Sequence, residues 1–263
     1  MSAGVVVVTG AASGIGRATA ERLLREGSRV VGVDRDAPAL DSLAGRFPER
    51  FAPVAGDVVE RATHERAADA AAGLGTLAGW VNGAGIWAKT RAHDFVEDDV
   101  DRVLAVNLKG SILGCSVACA RLLAGGVGGA IVNVSSIEAV VAFPDAIAYE
   151  ASKGGIDAIT RQVAVDYGPA GIRCNGVRPG AIMTPRADVY LDAYDEDREA
   201  MLQSWRELSP LGLVGKPEDV AAVVCFLLSE DARFVTGELV NVDAGATARC
   251  FRYPPAADLG ATP

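Results

Sequence analysis

Short apolar, β-branched runs alternate along the chain with longer Ala- and Leu-rich stretches whose apolar positions recur at helical spacing. Val5-Val6-Val7-Val8 reads as a buried strand, and Gly14 to Gly27 as a helix with Ala18, Leu23 and Leu24 apolar and Gly27 as its stop. Further strands are expected at Arg29 to Asp34, Gly79 to Asn82 and Ala130 to Val134, with two late ones at Ile172 to Val177 and Leu239 to Val242. Long helical patterns cover about Asp98 to Leu123 and Tyr149 to Tyr167. Strands that are continuous hydrophobic runs, alternating with helices, predict an α/β fold: a doubly wound parallel sheet with helices on both faces.

No linker, low-complexity segment or internal repeat interrupts this rhythm, so residues 1–263 read as a single domain. The stretch 184–210 differs. It is rich in charge, carries Tyr190, Tyr194 and Trp205, and reads as a substrate lid over one edge of the sheet. The tail 249–263 holds Pro254-Pro255 and is expected to leave the core. Half the residues are hydrophobic and 22% charged, as in a globular chain. The 25 basic and 34 acidic residues give a net charge of −9 with no basic cluster, which argues against nucleic acid as a partner. Met1 to Gly10 lacks a basic n-region, and Val5–Val8 is too short for a signal peptide or a membrane span, so no membrane role is expected. Five cysteines without a CxxC fit a reducing cytoplasm. Cys115 and Cys119 would share a helix face, which reads as packing and not as metal ligation. His64 and His93 are the two histidines, and neither lies near the motifs below, so a histidine-based triad is not expected.

Directly after the first strand comes Thr9-Gly10-Ala11-Ala12-Ser13-Gly14-Ile15-Gly16. Glycines permit a tight turn and close approach of backbone amides, and the following helix offers its N-terminus to a pyrophosphate. The spacing is GxxxGxG, not the commoner GxGxxG. Alone it is equally a plain strand-to-helix turn. At the first strand–helix junction of a doubly wound, Rossmann-type sheet it marks Gly10, Ser13, Gly14, Ile15 and Gly16 as candidate dinucleotide contacts. Asp34 ends the second strand, about 20 residues on, where a carboxylate binds the adenosine ribose and repels a 2′-phosphate. This predicts NAD over NADP; Arg35, next to it, is the competing signal, and a surface turn acid is the plainer reading.

Tyr149-Glu150-Ala151-Ser152-Lys153 puts Tyr149 and Lys153 on one helical face. A neighbouring ammonium favours the phenolate and brings the phenol toward working pH, so such a tyrosine can exchange a proton with an alcohol or ketone oxygen as hydride moves. Ser136, at the end of a buried strand, supplies a hydroxyl to polarise that oxygen. Strand-end capping is the alternative for Ser135-Ser136.

In these residues the chain resembles the short-chain dehydrogenase/reductase family over about residues 3 to 247. The resemblance rests on ordered motifs: Thr9 to Gly16, Asp57-Val58, Asn82 to Gly85, Asn107, Ser136, Tyr149/Lys153, and Pro179-Gly180 followed by Thr184. It implies that Lys153 also binds the nicotinamide ribose, and that Asn107 holds a water in a proton relay to Lys153. It further implies that Asp57 and Val58 contact adenine and that Asn82, Ala84 and Gly85 line the cofactor groove. Pro179, Gly180, Ile182 and Thr184 would hold the carboxamide end of the nicotinamide. Other readings stay open: Asn82 and Asn107 as ties between elements, Pro179-Gly180 as a turn, Asp57 as a cap. Two departures stand out. Asn82-Gly83 replaces the family's usual paired asparagines, and Asp243-Ala244-Gly245 its usual Asp-Gly-Gly. Gly215 to Val220 and Phe234 to Gly237 match the family's C-terminal part, which implies a homotetramer packed through the two long helices.

The implied activity is NAD(H)-dependent hydride transfer to or from a small secondary alcohol or ketone. Trp87 and Glu138 are candidate substrate-wall residues: Glu138 reads either as a polar wall for a sugar or polyol or as a solvated loop acid beside an apolar pocket. A non-catalytic NAD sensor would have no need of the Ser136/Tyr149/Lys153 set. A dehydratase or epimerase using the same pair usually carries a longer C-terminal substrate domain.

Overall fold

The structure, a computed structural model, describes residues 4–192 and 198–249. The chain opens with strand β1 (Val5–Thr9), helix α1 (Gly14–Arg25), β2 (Arg29–Asp34), α2 (Ala37–Arg46), β3 (Phe51–Ala55), α3 (Arg61–Leu74) and β4 (Leu77–Asn82). It continues through α4 (Glu97–Val103), α5 (Gly110–Gly125), β5 (Gly129–Val134), α6 (Ile147–Tyr167) and β6 (Ile172–Pro179). The last elements are α7 (Pro185–Asp192), α8 (Arg198–Leu208), α9 (Pro217–Leu228) and β7 (Leu239–Val242).

The seven strands form one sheet in the order β3-β2-β1-β4-β5-β6-β7. Every neighbouring pair is parallel. This is the expected doubly wound sheet. All five residues of β1 are buried, because helices cover both faces. Successive side chains of a strand point to opposite faces. Val6 and Val8 therefore join Leu23 and Leu24 of α1, Leu40 and Leu43 of α2, and Val224 and Leu228 of α9. Val5 and Val7 meet Ala67 and Ala71 of α3, Cys115 and Leu122 of α5, and Ala164 of α6. The chain winds outward in one direction through β2 and β3, then returns to β4 beside β1. That reversal of direction opens a crevice at the carboxyl ends of β1 and β4.

Two local features depart from the pattern. The long helix expected over Asp98 to Leu123 is interrupted: α4 and α5 flank a π-helical turn at Leu104–Lys109, which holds the buried Asn107. By length and hydropathy the stretch Glu97–Gly125 passes as a membrane-crossing helix, yet half of its apolar window is buried within the fold. Edge strand β3 contains Pro53, tolerated because β3 pairs with β2 alone. The segment 184–210 contains α7 and α8; Tyr194, the Tyr190 side chain and the tail from Cys250 lie outside the described residues.

Candidate active site

A cleft of about 1060 Å³ runs along the carboxyl ends of the strands. Gly10, Ser13, Gly14, Ile15, Gly16, Asp34, Asp57, Val58, Ala84, Gly85, Ser136, Tyr149, Lys153, Pro179, Gly180, Ile182 and Thr184 all line it. Asn82 and Asn107 do not.

At one end the glycine loop is shaped by contacts no side chain would allow. Gly10 has φ +73, and a Cβ there would sit 2.9 Å from the backbone of Ala84. A Cβ on Gly16 would lie 2.2 Å from the carbonyl oxygen of Gly10. Ser13 precedes α1 without a side-chain cap, and the first turn carries no acid, so its amides stay available to an anion. These features fit the pyrophosphate of a dinucleotide. Thr9 ties this loop to the next: its Oγ1 accepts from Gly83 N at 3.0 Å and Ala84 N at 3.3 Å.

Asp34 Oδ2 accepts from Ala12 N at 3.1 Å and its Oδ1 from Asp36 N at 3.2 Å, which holds the carboxylate at the mouth of the loop. Arg35 is 75% exposed and lies 3.8 Å from Asp57 Oδ2. Asp57 Oδ1 accepts from Val59 N, a bond within the turn; it does not cap the next helix, α3, which begins at Arg61 after Glu60. Behind Val58, its carbonyl accepts a hydrogen bond at 2.8 Å from Nε2 of His64, which is fully buried and stacked on Trp80. His64 therefore backs the Asp57-Val58 motif, six residues before it in the chain, and does not lie apart from the motifs as expected.

Tyr149, Lys153 and Ser136 all line the cleft, keeping 2%, 2% and 6% of their surface, and Lys153 Nζ lies 5.3 Å from the centroid of the Tyr149 ring. Lys153 Nζ donates to Val134 O at 2.8 Å. Gly85 lies against this nitrogen, a Cβ there falling at ordinary contact distance, 3.7 Å. Ser136 Oγ accepts from Glu138 N at 3.2 Å, a capping bond that leaves the hydroxyl proton for another partner. Ser135 Oγ instead donates to Lys153 O.

Asn82 is a tie within the sheet. Its Nδ2 donates to Asn133 Oδ1 at 2.8 Å, and its Oδ1 accepts from Trp80 Nε1. Asn107 uses its side chain on the backbone of Ile86, accepting from N at 2.8 Å and donating to O at 3.0 Å, and donates also to Ser152 Oγ. Its carbonyl accepts from Ser111 Oγ.

Trp87, Glu138, Val141, Phe143, Trp205, Leu208, Leu211 and Leu213 also line the cleft. Trp87, Glu138 and Trp205 were legible; the aliphatic residues and Phe143 were not, because loop hydrophobics carry no periodicity. Asp243, also in the lining, is influenced first by burial, which raises its pKa. Hydrogen bonds from Thr247 and Gly245 outweigh burial and leave it below the usual range. Among the described residues no cluster of metal-ligating side chains occurs. Cys115 and Cys119 are buried in helix packing, and burial pushes the Cys119 thiol up to about 12.

A sequence profile described as enoyl-(acyl carrier protein) reductase matches residues 10–247. The chain is 37% identical over 252 residues to 2-(R)-hydroxypropyl-CoM dehydrogenase of Xanthobacter autotrophicus, covering 93% of this chain and 98% of that protein. It is 36% identical to D-threitol dehydrogenase of Mycolicibacterium smegmatis, covering 92% of each. The crystal structure of levodione reductase superposes with a TM-score of 0.88 at 33% identity, over 93% of this chain and 98% of that one.

Proposed function

The chain belongs to the short-chain dehydrogenase/reductase family, and from that premise we propose that it is an NAD(H)-dependent oxidoreductase of uncharged secondary alcohols or ketones. Oxidoreduction at a CH–OH group is common to its named relatives. The observation that carries the reading is the meeting of Tyr149, Lys153 and Ser136 in a cleft that begins at a glycine loop.

The residues fit a nicotinamide dinucleotide, which when bound supplies or accepts the hydride. Gly10, Ser13, Gly14, Ile15 and Gly16 receive the pyrophosphate. Asp34 takes the adenosine ribose hydroxyls, and its charge disfavours a 2′-phosphate. Asp57, Val58, Ala84 and Gly85 line the adenine side. Pro179, Gly180, Ile182 and Thr184 hold the carboxamide. Lys153 binds the nicotinamide ribose and holds the phenol of Tyr149 toward its ionised form. Tyr149 takes the hydroxyl proton of an alcohol, or returns it to a ketone, while Ser136 donates a hydrogen bond to the same oxygen. Asn82 and Asn107 serve as ties, and the carbonyl of Asn107 is the group for a relay water.

Outside the dinucleotide contacts the lining is largely apolar, with Glu138 two residues past Ser136; Lys216, Asp219 and Asp243 also line it, the two aspartates being engaged in hydrogen bonds of their own. Among the described residues the arginine in the lining is Arg35, beside Asp57 and far along the chain from Ser136. This composition supports an uncharged substrate whose second hydroxyl faces Glu138, and D-threitol dehydrogenase is a relative of that kind. We read residues 1–263 as one domain with 184–210 as its lid. We also read the chain as a cytoplasmic homotetramer: Cys115, Cys119, Cys174 and Cys225 are free thiols, and Ile112, Leu123 and Val165 expose apolar surface on α5 and α6. Light scattering reads the assembly directly, and a monomer would end that part.

The test is NADH formation, followed by absorbance over a panel of polyols, sugars and cyclic alcohols with NAD and NADP in parallel. NAD-dependent turnover with a preference for hydroxylated substrates is expected. No turnover with either dinucleotide overturns the assignment. A Glu138→Gln variant that leaves the sugar-to-cyclohexanol ratio of kcat/KM unchanged removes the polar wall.

A further inference from the structure

Helix α6 carries Tyr149 in its first turn, yet it begins without a cap of its own: Ala146 precedes it and offers no side-chain acceptor. The acceptor arrives from 58 residues upstream. Thr90 Oγ1, in a side chain 1% exposed, takes the N–H of Ala148 at 3.2 Å. Thr90 N donates to Asp145 O at 2.7 Å and Thr90 O accepts from Ile147 N at 3.2 Å, so the segment pairs in parallel with Ala146. Next to it the Arg91 guanidinium grips Asp145 with both arms, Nε to Oδ1 at 2.6 Å and Nη2 to Oδ2 at 2.9 Å. Asp145 has φ 62, a left-handed conformation that a non-glycine residue keeps only where its surroundings enforce it.

The other end of this segment is fixed at Ile86 by the side chain of Asn107. Between the two anchors, Trp87 and Ala88 pack with Tyr149, Val103, Ala146 and Ala148 in a small hydrophobic cluster apart from the two sheet cores. Glu150, next to Tyr149 in α6, accepts from Phe143 N at 2.6 Å and so holds a second piece of pocket wall.

We propose that Thr90, backed by Arg91, is a positioning residue for Tyr149: residues 86–91 form a splint that caps α6, places the phenol and carries the Trp87 wall with it. The inference rests on Tyr149 being the proton-transferring group. Thr90 does not itself line the cleft, so dinucleotide affinity is separable from phenol placement.

The test compares Thr90→Val, which removes the acceptor at nearly constant volume, with Thr90→Ser, which keeps it. Thr90→Val should lower kcat about tenfold or more, as expected when a reacting group is displaced by a fraction of an ångström. NADH affinity by fluorescence titration should be unchanged, and Thr90→Ser should restore kcat. If Thr90→Val fails to fold, Arg91→Met against Arg91→Lys decides, because Arg91 is half exposed and its loss leaves the core intact. Wild-type kcat in the valine variant, or a serine variant as impaired as the valine one, overturns the splint. Turnover retained by Tyr149→Phe overturns instead the reading of the site on which the splint rests.

Discussion

The ammonium nitrogen of Lys153 lies 5.3 Å from the centroid of the Tyr149 ring, and the same nitrogen is bound to the carbonyl of Val134. The lysine is thus pinned by the end of β5 and holds its charge beside the phenol, one helical turn away on the same face. Tyr149→Phe removes the exchangeable proton and little else. Its kcat should fall by about a hundredfold to ten-thousandfold, the usual range for a lost general acid–base. NADH binding, followed by fluorescence, should persist; loss of binding would make Tyr149 a structural residue.

Asp34 receives two backbone N–H bonds, from Ala12 and Asp36, so its carboxylate is held at the glycine loop. Asp34→Ala removes the charge that repels a 2′-phosphate, and the ratio of kcat/KM for NAD over NADP should drop toward unity. Arg35 is largely exposed beside Asp57, so Arg35→Ala should leave NAD turnover unchanged. An unchanged cofactor ratio in Asp34→Ala refutes the role given to the acid.

Six of the seven strands were legible from the sequence, the edge strand β7 among them. Val5 to Val8 and Ala130 to Val134 are apolar on both faces and show as uninterrupted runs. Strand β3, Phe-Ala-Pro-Val-Ala, sits at the sheet edge, where a proline is allowed and the hydrophobic run is broken. Helix α3 escaped notice because its buried face is Ala67, Ala68 and Ala71, and small apolar residues give weak periodicity. The catalytic candidates were legible because their chemistry is local to short motifs. The π-turn around Asn107 and the Thr90–Ala148 cap depend on tertiary pairings across 21 and 58 residues, which no local pattern encodes.

Gly16 illustrates how tightly the phosphate turn is closed. Its absent Cβ would sit 2.2 Å from Gly10 O and 2.6 Å from Gly10 C, both backbone atoms that cannot rotate away. Gly16→Ala should force the turn open and weaken NADH binding by about tenfold or more, equivalent to about 1.4 kcal/mol. Isothermal titration measures it. Wild-type affinity in this variant would mean that the loop does not hold the dinucleotide.

His64 gives stability a pH dependence of definite sign. Burial is the main cause that holds its pKa below the ordinary value of about 6.5. Its Nδ1 is buried without a hydrogen-bond partner, while Nε2 donates to Val58 O. Well above pH 6.5 the ring is neutral in both folded and unfolded chains and contributes nothing to the difference. As pH falls below that value the unfolded ring takes a proton that the folded ring resists, so stability declines. The decline levels off once pH passes below the depressed folded value. His64→Gln keeps a donor for Val58 O but cannot titrate. Urea unfolding at pH 7.5 and 5.5 should therefore show a smaller acid loss in the variant than in the wild type. Carboxylates contribute equally to both proteins, so the difference between the two losses isolates the ring. Equal losses would show that His64 is not the source, and that Val58 is buttressed by a histidine whose charge costs nothing.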